Sequence, residues 1–171
     1  DTKDNQYKCV ETQDLKKSVE EVTGQNLDWF FQQWLFEPGF PKYDVKWTYN
    51  QRNKSIKLNV KQVQDGPLFK MPIKVKIDEM DQTIWVEDKE AIFEIPSKKR
   101  PELVIFNSGQ IVPSELTFNK PISEWILQLE NSTHILDKIS AINVLKDKKG
   151  RRVVEIALLK AAESDPFWGV R

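Results

Sequence analysis

Histidine occurs once in this chain of 171 residues, at position 134. A catalytic zinc site takes three protein ligands, very often two of them imidazoles. The helical H-E-x-x-H element alone needs two histidines, so this chain cannot contain it. Cysteine also occurs once, at position 9, which rules out an internal disulfide. A nucleophilic thiol at Cys9 would need a histidine partner, and His134 lies far along the chain in a helical region. Glycine is scarce, at six residues. Neither a phosphate-cradling glycine loop nor a G-x-S-x-G nucleophile elbow is present. Lys plus Arg and Asp plus Glu balance at 26 each. The chain therefore lacks the basic excess of a nucleic-acid binder. No apolar run approaches the roughly 20 residues of a membrane-spanning helix.

What is present is periodicity, and it changes twice. Residues 12 to 36 predict two helices. The first follows Thr12, places Asp14 in its opening turn, sets Leu15, Val19 and Val22 on one face, and stops at Gly24. The second is capped by Asn26. Leu27, Phe30, Phe31, Trp34 and Leu35 fall at helical spacing, widened by Trp29 and Phe36. So aromatic a segment is expected to be buried on most sides. Glu37-Pro38-Gly39-Phe40-Pro41 ends it.

Residues 43 to 106 switch to period two. Val45, Trp47 and Tyr49 alternate with polar neighbours, as do Ile56, Leu58 and Val60, and then Phe69 to Ile77. Ile84 and Val86, then Ala91, Phe93 and Ile95, flank Glu87-Asp88-Lys89 and read as a hairpin. Leu103 to Phe106 reads as one more strand. Short strands with one polar face each predict a small antiparallel β-sandwich. From Pro121 the helical period returns: Ile122, Trp125, Ile126 and Leu129, then Ile135, Ile139 and Ile142, then Val154, Ala157, Leu158 and Ala161. Asp165-Pro166 reads as the cap and first turn of a fourth helix. Successive short helices of this kind predict a helical-repeat array, with the last helix continuing in a longer chain. The overall expectation is a multi-part α+β chain. Residues 1–41 would be helical, 42–112 a sandwich, and 113–171 the start of the array.

Several blocks, taken in order, resemble one family. Thr12-Gln13-Asp14-Leu15 precedes Phe31-Gln32-Gln33-Trp34 and Gly39-Phe40-Pro41. Val60-Lys61-Gln62 follows the second strand, and Ile139 to Leu145 and Asp165 to Arg171 lie in the helical part. Together they are similar to the aminopeptidase N-like zinc metallopeptidases, from the end of the catalytic domain through the β-sandwich into the helical repeats. The chain departs from the family at Asn107, where aspartate is common, and at Lys138, where arginine is common. The resemblance implies that this piece carries no catalytic, cofactor-binding or metal-ligating residue of its own. It implies that zinc and peptide substrates belong to the parent protein. It also implies that the partners of this segment are the parent's catalytic domain and further helical repeats. Tyr7 is not matched to the family's catalytic tyrosine, which lies well upstream of the Thr12 block. The residues implied to carry structure are Phe30, Phe31, Trp34, Gly39 and Pro41. Two other readings stand beside this one: a segment of a related scaffold that has lost its zinc site, and a sandwich module that binds a protein.

Overall fold

The computed structural model describes residues 9–148 and 150–171; Tyr7 lies outside them. The chain divides into two compact units, Asp1–Gly39 and Phe40–Arg171.

In the first unit, helix α1 (Thr12–Thr23) opens on a capping box. The Glu11 and Asp14 side chains each accept from the other's backbone N–H. Gly24 ends the helix in the left-handed conformation at φ 66°, and its N–H donates to the Glu20 carbonyl. The short helix α2 (Asp28–Phe31) follows. Lys16 pairs with Asp28, and the Leu27 N–H donates to Glu20 Oε1 at 2.7 Å, so charged groups help tie α1 to α2. The expected ten-residue second helix is instead one α turn followed by a wider π turn over Gln32–Phe36. The expected burial is also partial. Phe31 and Gln33 are buried, whereas Phe30, Leu35, Phe36, Leu15 and Val22 are exposed.

The second unit is built on two sheets. Sheet A has the order β5-β2-β1-β7 and sheet B the order β4-β3-β6. The strands are β1 (Lys42–Asn50), β2 (Ser55–Gln62), β3 (Met71–Ile77), β4 (Met80–Val86), β5 (Glu90–Pro96), β6 (Val104–Phe106) and β7 (Glu115–Asn119). The alternating residues set the register. Val45 faces Val60, Trp47 faces Leu58, and Tyr49 faces Ile56. Each pair lies on the same side of the pleat. The core is formed by Val45, Ile56, Leu58 and Val60 from sheet A, with Ile73, Val75, Ile84 and Val86 from sheet B. The result is the expected α+β chain with a small, mostly antiparallel sandwich.

Two pairings differ from expectation. The Glu87-Asp88-Lys89 connector does not close a hairpin: β4 pairs with β3 and β5 with β2. The connector crosses from one sheet to the other, so the apolar faces of β4 and β5 approach the same core from opposite layers. Strand β7 lies beyond the strands that the alternation predicts, and it runs parallel to β1, with Tyr43 opposite Leu116 and Val45 opposite Phe118.

Three helices follow: α3 (Ile122–Asn131), α4 (Ile135–Leu145) and α5 (Arg152–Ser164). Asp165-Pro166 opens a turn rather than a fourth helix. Asp165 Oδ1 accepts the Phe167 N–H at 2.9 Å, and its other oxygen holds the Lys138 ammonium. With its carboxylate spent on that turn and on α4, Asp165 closes a loop.

Candidate functional site

The five residues implied to carry structure divide between the two units. Phe30 sits in α2, edge-on to both Trp29 and Phe31 with ring centroids 5.7 Å apart in each case. Trp34 lies half-buried in the π turn. Gly39 adopts φ 90°, a conformation that a β-carbon would strain. Pro41 is buried at the entrance to β1, where its carbonyl accepts the Glu115 N–H at 3.1 Å and begins the β1–β7 pairing.

The most elaborate chemistry of the second unit lies where the sandwich meets α3 and α4. The Lys120 side chain is fully buried at the end of β7. Its ammonium donates to the Val104 carbonyl of β6 at 2.9 Å and to Gln128 Oε1 of α3 at 2.7 Å. It also lies 4.3 Å from the centroid of the Trp125 ring and 5.0 Å from that of Phe118. One turn along α3, Glu124 Oε1 accepts the Val104 N–H at 2.9 Å, and its Oε2 accepts the Trp47 indole N–H of β1 at 3.2 Å. Gln128 Nε2 donates to the Asp137 carbonyl and to Ser140 Oγ, each at 2.8 Å. The Asp137 carboxylate takes Ser108 Oγ at 2.9 Å and the Gly109 N–H at 2.8 Å.

Strands from both sheets, the Ser108–Gln110 turn and two helices are thus held by one connected polar network. Each of its buried groups has a partner, the condition under which such a network makes a joint rigid. Burial sets the electrostatics. Desolvation pushes the Lys120 ammonium down to about 8, against the pull of Glu124 and Asp137. Desolvation likewise raises Glu124, although Lys120, the Val104 N–H and the Trp47 N–H all favour its charge.

Sequence reasoning missed this joint. The only signal was spacing: Lys120, Glu124 and Gln128 recur every fourth residue, which reads as one helical face although Lys120 precedes α3. Read alone, that face looks like a solvated one.

Beside the joint lies a cleft of about 250 Å3. It opens on the side of the sandwich where sheet A ends at β7 and sheet B at β6, and α3 and α4 border it. Its apolar lining includes Leu116, Phe118, Trp125, Ile139 and Val144. At its rim, Asn107 takes a left-handed conformation at φ 54° while its side chain bonds both the Val112 carbonyl and N–H.

Among the described residues no cluster of three histidine, cysteine, aspartate or glutamate side chains is placed to hold a metal ion. His134 caps the start of α4 and packs against Gly109. No helix among the described residues is long and apolar enough to cross a membrane.

No protein-family model matches the chain. In sequence it is similar to transcription initiation factor TFIID subunit 2 of Gallus gallus, with 27% identity over 100 residues covering 53% of this chain and 9% of the relative. It is similar also to the same subunit of Schizosaccharomyces pombe, with 29% identity over 68 residues covering 40% of this chain and 6% of the relative. The chain thus spans less than a tenth of the curated relatives it matches. In structure it is similar to Legionella pneumophila aminopeptidase A, crystallised in complex with aspartic acid. The TM-score is 0.74 at 20% identity, over 95% of this chain and 21% of that one. At that identity the likeness establishes the fold, which is aminopeptidase-like along nearly the whole chain.

Proposed function

We propose that this chain is a noncatalytic segment of a zinc aminopeptidase, bridging the parent's catalytic domain to its helical domain. The observation that carries the reading is the joint around Lys120, which locks both sheets of the sandwich to α3 and α4. A bridge must transmit position without bending, and a saturated buried network suits that task better than an apolar seam that can slide. The fold match over 95% of the chain supports an aminopeptidase-like parent. Zinc and peptide chemistry would lie in other parts of that parent, since no group of three metal-binding side chains occurs among the described residues.

A second reading has its own support. Two curated sequence relatives are subunits of a transcription initiation factor, and a parent of that kind would use the same segment in a scaffold without a zinc site. One experiment separates the two. The full-length protein is purified, its zinc content is measured, and hydrolysis of aminoacyl coumarin amides is followed before and after chelation and zinc return. Bound zinc with chelator-sensitive hydrolysis supports the peptidase. Metal-free protein without hydrolysis overturns it in favour of the scaffold.

A further inference from the structure

We propose that the cleft beside β7 is a docking site for an extended, uncharged peptide strand, which continues sheet A past β7 and drops apolar side chains into the cleft. The inference does not depend on which parent is correct.

Three observations define the occupant. First, β7 is the last strand of sheet A, and among the described residues no backbone hydrogen bond reaches its far edge. A row of unmet N–H and C=O groups is a template for another strand. The opposite edge of the same sheet, β5, carries Glu94 and a terminal Pro96, features that discourage pairing, while its Glu90 is tied to Lys61 at 3.0 Å. Strand β7 has only Glu115 at its start, and that residue is tied to Lys42 at 2.8 Å. Second, the cleft is smaller than the roughly 300 Å3 at which small-molecule pockets begin, and its apolar lining suits side chains hung from a backbone that runs alongside. Third, the charges around it are already matched. Asp137 is occupied by Ser108 and Gly109, and Lys120 by Val104 and Gln128. No ion faces the cleft unpaired, so a charged ligand would gain nothing there and would lose its hydration. The rim is preformed by the hydrogen bonds of Asn107 and by Gln110, whose side chain donates to the Leu136 carbonyl at 3.1 Å. The site therefore needs little ordering on binding.

The test uses the full-length protein and a synthetic peptide of alternating valine and threonine, acetylated and amidated at its ends. Hydrogen exchange of the β7 amides is followed by mass spectrometry. With peptide at about ten times its dissociation constant, exchange across Glu115–Asn119 should slow by about tenfold. A version methylated on alternate backbone nitrogens cannot pair and should give no protection. Asn143→Trp, at an exposed position lining the cleft, should fill it and abolish the effect while leaving core exchange unchanged. Three results would each overturn the proposal: no protection at any soluble concentration, equal protection by the methylated peptide, or protection in Asn143→Trp equal to that in the parent protein.

Discussion

The Lys120 ammonium offers a quantitative test of the joint. Burial lowers it from 10.5 to about 8 in the folded chain. Below about pH 8 both folded and unfolded chains carry the proton. Between about 8 and 10.5 the unfolded chain keeps it and the folded one sheds it. Stability therefore rises with pH across that window, because the unfolded state binds more protons. At 1.36 kcal/mol per unit the whole gap corresponds to about 3 kcal/mol. Between pH 7 and pH 9.5 the gain should be about 2 kcal/mol. That gain would stand out, since most proteins are most stable between about pH 5 and 8. The assay is urea denaturation at half-unit steps over that range, on the parent protein and on Lys120→Met. The variant keeps an apolar stem of similar length and cannot titrate. Its absolute stability is set partly by the Val104 and Gln128 acceptors it leaves unmet, so the slopes are compared and not the intercepts. A flat or falling profile in the parent would refute the argument, as would an equal rise in Lys120→Met.

Further outcomes follow from the same reasoning. Burial raises the Tyr43 phenol well above its ordinary value, so stability should fall above about pH 10, where only the unfolded chain can ionise; Tyr43→Phe should remove that fall in an alkaline titration followed by circular dichroism. The Gln62 side chain accepts the Phe69 N–H and donates to the Phe69 carbonyl, at 2.9 and 2.8 Å. Gln62→Ala should cost about 2–4 kcal/mol in urea melts by leaving buried backbone groups unmet. Asn107→Ala should cost a similar amount, because it strips two bonds from Val112 and leaves alanine in a left-handed conformation; an unchanged midpoint would show that the rim is not braced by Asn107. The Lys138 hydrogen bond holds Asp165 below the ordinary carboxylate range, so this pair stabilises above about pH 4 and is lost on acidification. In Lys138→Ala the acid limb of the stability profile should flatten.

Much of the sandwich was legible because its strands carry an unbroken alternation. Val45, Trp47 and Tyr49 can bury one face only as a strand, and so can Met71, Ile73, Val75 and Ile77. Pairing was less legible than existence. Glu87-Asp88-Lys89 looks like a hairpin turn, yet whether a short polar connector turns back or crosses to the other sheet depends on where the core lies. Strand β7 shows only Leu116 and Phe118 as alternating apolar residues, and its partner β1 is remote in sequence. The apolar spacing from Trp29 to Phe36 fits a uniform helix, and spacing does not distinguish that from a single α turn followed by a π turn. The joint was hidden for a different reason. Lys120, Glu124 and Gln128 are residue types that ordinarily face water, and only the tertiary placement of Val104, Trp47 and Asp137 gives them partners.

The parallel contact between β1 and β7 also bears on how the chain reaches its fold. Tyr43 meets Leu116 across 73 positions of sequence. During synthesis, sheet A can gain this strand only after everything between them has been made. Closing so long a loop is entropically costly and delays the final step, as in other topologies dominated by distant pairings. During synthesis, β1 and β2 can pair early, but the edge that receives β7 stays open until residue 119 has emerged. Lys120 is the next residue. The ammonium that clamps the helices therefore arrives with the strand that completes the sheet, so sealing the sandwich and docking α3 should appear in refolding kinetics as one late phase.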